Sequence, residues 1–96
     1  MFYKGILKMS GPRQTQRKAA PSKENERLFL RKLGRAIYVE LYRQERNVDW
    51  LSLRTGIARS TLHEIIAGRS NPRILTLRLI AMGLGYENLP VFLSHM

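Results

Sequence analysis

Leu51-Ser52-Leu53-Arg54-Thr55-Gly56-Ile57-Ala58-Arg59-Ser60-Thr61-Leu62 is the stretch on which the fold turns. Asn47 or Asp49 can cap a helix running to Thr55, and Gly56 can take the left-handed conformation that ends it. A further helix, Ala58 to Ala67, follows almost at once and stops at Gly68. Two short helices joined by a tight turn have the outline of a helix-turn-helix. At 100° per residue, Ala58, Leu62, Ile65 and Ile66 share one side of the second helix and are expected in the core. Ser60, His63, Glu64 and Ala67 lie opposite, with Arg59 on the flank at the N-terminal end. The outward side therefore carries short or hydrogen-bonding groups and nothing bulky and apolar.

On the N-terminal side, Ser22 is a plausible N-cap, with Glu24 and Glu26 in the first turn where the helix dipole favours anions. Leu30, Leu33, Ile37 and Leu41 recur at three- and four-residue spacing, which predicts an amphipathic helix to about Glu45. On the C-terminal side, the loop Arg69-Ser70-Asn71-Pro72 leads to a helix with Ile74, Leu77, Ala81 and Leu84 on one face. Gly83 or Gly85 closes it. Leu89, Phe92 and Leu93 suggest a short fifth helix around Pro90. No strand-like alternation occurs, so the fold is expected to be all-α.

Residues 1–23 hold six Lys or Arg and no acid, broken by Gly11, Pro12 and Pro21. They read as a disordered basic arm bearing Arg13, Arg17, Lys18 and Lys23. The expected division is an arm over residues 1–22 and a folded domain over 23–96. Ninety-six residues allow one domain and not two. Seventeen Lys and Arg against seven Asp and Glu give a formal charge of +10, a field that attracts polyanions. With no cysteine, disulfides and thiolate metal sites are excluded. No apolar run approaches a membrane span, because Ile74 to Leu84 is interrupted by Arg78 and is too short. Nothing reads as a signal peptide, so the cytoplasm is the default.

Taken with Ile65, Gly68, Asn71-Pro72, Thr76-Leu77, Ile80-Ala81 and Leu84-Gly85, the opening stretch resembles the Cro/CI-type helix-turn-helix domain of lambda-like repressors. The resemblance covers about Leu33 to Leu93. It implies a compact four- to five-helix bundle whose third helix enters the major groove of double-stranded DNA. Carried over by position, Arg59, Ser60 and Glu64 match base-contacting places, and Thr61 and His63 match neighbouring base or phosphate contacts. Asn47 and Val48, and the loop at Arg69, Ser70, Asn71 and Arg73, match places that grip phosphates. Three residues depart from the family pattern. Val48 stands where a Gln often touches the backbone, Ala58 replaces a Ser or Thr cap, and Ile66 replaces a Glu that commonly pairs with an Arg of the first helix.

Arg59 suits a bidentate pair with guanine, or else a phosphate contact. Glu64 suits acceptance from cytosine N4, steering of Arg59, or pairing with a neighbouring Arg. The arm fits either the minor groove or nonspecific attraction to the duplex. Trp50 and Tyr42 are expected in the core or at its rim. The expected role is that of a bacterial or phage transcriptional regulator of repressor type, associated with the nucleoid. The apolar Leu89, Phe92 and Leu93 either serve a second copy or cap the bundle. The alternatives are a protein-interaction module of the same fold, antitoxin-like or an accessory subunit, and a nonspecific basic nucleic-acid-binding protein. No catalytic triad, phosphate loop or metal-ligand set appears, so neither enzyme activity nor a cofactor or metal is expected.

Overall fold

Side-chain caps start three of the five helices in the computed structural model, which describes residues 22–96. The arm residues Arg13, Arg17 and Lys18 lie outside the described residues, whereas Lys23 is the first residue of a helix. The elements are α1 (Lys23–Arg43), α2 (Val48–Thr55), α3 (Arg59–Ile66), α4 (Ile74–Gly83) and α5 (Leu89–Leu93). No strand occurs among the described residues. Ser22 caps α1 by accepting from the Asn25 amide, and Asn88 caps α5 by accepting from that of Val91. Of the two candidate caps for α2, Asn47 takes the position and accepts from the Trp50 amide at 2.9 Å. Gly56, Gly68 and Gly85 adopt positive φ where α2, α3 and α4 end.

The helices pack in the order α1–α3–α2–α4–α5, so α3 lies between α1 and α2. Their shared core is Leu33, Ile37, Leu41, Leu51, Leu62, Ile65, Ile80, Ala81, Leu84, Leu89 and Phe92. Burying a Leu, Ile or Phe side chain contributes about 1.5–3 kcal/mol each, the main favourable term set against the chain entropy of so small a bundle. Two close approaches decide the geometry. A Cβ on Gly34 of α1 would stand 2.2 Å from the Ile66 carbonyl oxygen, so only glycine lets α1 run this close to α3. A Cβ on Gly83 would meet Thr55 Cγ2 at 2.7 Å, which sets the crossing of α4 on α2.

A polar clasp joins the end of α1 to the C-terminal part of the bundle. Gln44 Nε2 donates to Glu40 Oε2 and to the Leu84 carbonyl, both at 2.7 Å. The Tyr86 hydroxyl donates to Glu40 Oε1 at 2.9 Å. Burial pushes the Glu40 carboxyl up, but hydrogen bonds from Gln44 and Tyr86 and the Arg43 charge outweigh it, leaving its pKa below the usual range.

Several expectations are corrected. Leu89 and Phe92 are 8% and 1% exposed, so they close the end of the bundle and offer no face to a second copy; Leu93 packs beside them half-buried. Ile74 is exposed and Ile80 takes its place in the core, because α4 turns toward α2 on the side of Gly83. Ala58 is exposed: it is the N-cap of α3, where the chain is still extended and points away from the core. Tyr42 is exposed, whereas Trp50 is half-buried against the core.

Candidate nucleic-acid interface

The loop between α2 and α3 is three residues long, and hydrogen bonds from α2 hold it. Ser52 Oγ donates to the Ile57 carbonyl at 2.6 Å, and the Ile57 amide donates to Thr55 Oγ1 at 3.2 Å. Thr55 Oγ1 in turn donates to the Leu51 carbonyl. With Gly56 in the left-handed conformation, these bonds leave α3 little freedom relative to α2. Leu62 and Ile65 anchor α3, at 0% and 1% exposure. Arg59, Ser60, Thr61, His63, Glu64 and Ala67 are all exposed. An isolated helix face of this kind is what a groove about 12 Å wide admits.

Charges on this surface are paired across elements. Arg59 Nη1 donates to Asp49 Oδ1, in the first turn of α2, at 2.9 Å. Both side chains remain about 60% exposed (63% and 60%), so solvent screens the pair and its weight in stability is slight. Glu64 accepts twice from Arg69, at 3.1 Å from Nε and 2.9 Å from Nη2. The Arg69 amide also donates to the Glu64 carbonyl, closing the turn after α3. These hydrogen bonds, and then the Arg69 charge, hold the Glu64 carboxyl below its usual range and raise the guanidinium of Arg69. Of the three roles open to Glu64, the structure has it paired with a neighbouring Arg, whereas Arg59 is steered by Asp49.

The flanking residues divide. Asn71 and Arg73 are exposed, and Ser70 is half-buried. The Asn47 side-chain oxygen is committed to capping, while Val48 is half-buried and packs against the core. Two cations were not visible as features of this surface from sequence. The guanidinium groups of Arg46 and Arg54 both lie over the Trp50 ring, 4.9 and 5.0 Å from its centroid. Arg54 also donates from Nε to the Gly83 carbonyl at 2.9 Å, tying α2 to the end of α4. In sequence Asp49 reads only as a candidate cap; its partner lies ten residues on, and no local pattern announces the pairing.

Among the described residues no group of His, Asp and Glu is placed to hold a metal ion, and no helix is long and apolar enough to cross a membrane. A family model described as Helix-turn-helix matches residues 39–88. Searches of curated proteins and of solved structures returned no match. The matched residues run from the end of α1 to the cap of α5 and include the whole α2–turn–α3 unit. With an all-helical bundle, a tight α2–α3 turn and an outward α3, the chain belongs to the Cro/CI-type helix-turn-helix family, whose domains bind double-stranded DNA.

Proposed function

We propose that this protein is a sequence-specific DNA-binding regulator of repressor type that inserts α3 into the major groove. The observation that carries the reading is the split of α3: Leu62 and Ile65 lie in the core, while Arg59, Ser60, Thr61 and His63 stand clear of it. Arg59 leads at the N-terminal end and donates to a base edge, guanine O6 and N7 being the best match for its fork. Ser60, Thr61 and His63 supply shorter hydrogen-bonding contacts behind it. Glu64 does not read bases directly; it holds Arg69, whose outer edge faces a phosphate together with Asn71 and Arg73. Asn47 and Val48 contribute backbone amides at the start of α2, since their side chains are used for capping and packing.

The basic residues 13, 17, 18 and 23 add attraction that is blind to sequence and sensitive to salt. One such helix reads only a few base pairs, so an operator of useful specificity needs two copies on half-sites about 34 Å apart. Such a regulator works on the nucleoid in the cytoplasm. Selection of bound duplexes from a random pool tests the reading. Enrichment of a short motif is expected, and recovery of duplexes with no shared bases at any salt concentration would reject it.

A further inference from the structure

The N-terminal turns of α1 precede the residues that the family model matches, and full burial along the helix begins only at Leu33. Gly34 is where α1 meets α3, packed on the Ile66 carbonyl. At 100° per residue Lys23 and Arg27 stand within about 20° of Gly34 around the helix, and Arg31 within about 60°. The face that packs on α3 thus continues about 16 Å toward the N-terminus. Beyond the half-buried Leu30 it bears cations, where a packing face would bear apolar groups. What it meets there is the turn after α3. Lys23, Arg27, Arg31 and Arg69 line a cleft of about 570 Å³, with Glu26 its one acid. Arg31 lies against that turn so closely that a Cβ on Gly68 would stand 3.1 Å from Arg31 Cγ. On another side of α1, Asn25 and Phe29 share a second cleft with Asn71. Neither Arg27 nor Arg31 pairs with an acid among the described residues, and residues 1–21 contain none to offer.

We infer that Arg27 and Arg31 form a second grip on duplex phosphates, outside the groove that α3 enters, and lengthen the footprint beyond the bases read. The inference rests on the duplex-binding role proposed above. Charge decides the class of occupant: four cations against one acid call for a polyanion. Position decides which one. The cleft opens beside Arg69, Asn71 and Arg73, so the strand that those residues face runs on into it. Residue type fits as well, because the planar fork of arginine matches two phosphate oxygens at once. Arg27 and Arg31 are one turn apart, about 6 Å along the axis, so the two engage separate phosphates. A helix holds them in place, so their contact falls at a set distance from the motif.

Two charge-matched double variants of the full chain test the grip. Arg27→Gln with Arg31→Gln keeps the stem against Gly68 and removes the guanidinium groups. It should weaken selected and random duplexes alike, by about ten-fold, and flatten the slope of log affinity against log salt by about two charges. Lys32→Gln with Arg35→Gln removes the same charge from other faces of α1, about 160° and 100° from Gly34, and should move that slope by less than one charge. Circular-dichroism melting should match the wild type for both, since all four side chains are exposed. Hydroxyl-radical footprints of the first variant should lose protection at the outer edge and keep it over the motif. An unchanged slope for the first variant overturns the inference. So does an equal change from both variants, which would mean a general field with no located contact. Failure of base reading shows separately. If no motif is enriched, yet the slope on random duplexes responds to Arg27 and Arg31 alone, the grip stands and sequence reading does not.

Discussion

Arg59, at the start of α3, donates a 2.9 Å hydrogen bond to Asp49, at the start of α2, so the leading side chain of the outward helix is oriented by the helix behind it. An arginine pinned at one nitrogen still has donors free for a base edge, and less rotamer freedom remains to be lost on binding. Arg59→Ala should lower discrimination at one or two base positions by about ten-fold. Asp49→Ala should do two opposite things: raise affinity for all duplexes by removing an anion, and narrow the gap between cognate and random DNA. Competition mobility shifts measure both. Uniform changes across all duplexes from Arg59→Ala would exclude base reading by that residue.

Glu64 and Arg69 give a prediction of a different sign. Glu64→Gln frees the guanidinium from its carboxylate, so affinity for every duplex should rise. The slope of log affinity against log salt should steepen by about one charge. Binding titrations at several salt concentrations read the slope directly. Lost discrimination at a cytosine would instead mean that Glu64 contacts a base.

Gly34→Ala tests the closest helix approach in the bundle. Alanine ordinarily favours a helix by about 1 kcal/mol over glycine. Here its methyl would meet the Ile66 carbonyl oxygen at 2.2 Å, and backbone cannot step aside as a flexible side chain can. The net effect should be a loss of at least about 2 kcal/mol, measured by urea unfolding. A more stable variant would mean that α1 and α3 do not cross at this residue.

The Glu40 clasp predicts an acid-side dependence. Its folded pKa is depressed, so its contribution is present above the ordinary carboxylate range and is lost as pH falls through that range toward the folded value. Glu40→Ala should cost about 1–3 kcal/mol at neutral pH, because Gln44 and Tyr86 lose their shared acceptor. It should also flatten the fall in melting temperature between neutral and acid pH. Tyr86, raised first by burial and then by its bond to Glu40, stabilises below its ordinary range, and that contribution is lost as pH rises through the raised value.

Helix ends and the split of α3 were legible in sequence because they depend on local chemistry. Ser22, Gly56 and Gly68 act within a turn of where they stand, and the period of Leu62 and Ile65 is set within one helix. The facing of α4 was legible in part: Leu77, Ala81 and Leu84 lie in or against the core as their spacing indicates, and Ile74 does not. The run from Ile74 to Leu84 is apolar at most positions, so its period does not fully fix the side that meets the core; Gly83 against Thr55 completes the choice. The burial of Leu89 and Phe92 likewise depends on the space left at the end of the bundle. Both ion pairs at the candidate site were missed or left open, since Asp49 reaches Arg59 only through the angle of the turn. Ala58 erred by one position: a residue just before a helix does not follow the rotation of the residues within it.

Trp50 is the single tryptophan of the chain, and in the first turn of α2 its ring has the guanidinium groups of Arg46 and Arg54 within about 5 Å of its centroid. Any redistribution of those two cations alters the electric field on the one indole that emits. The protein thus contains its own optical gauge in the helix that precedes the turn. A titration of the unlabelled chain can follow occupancy of that corner by emission alone, with no fluorophore to perturb the +10 surface.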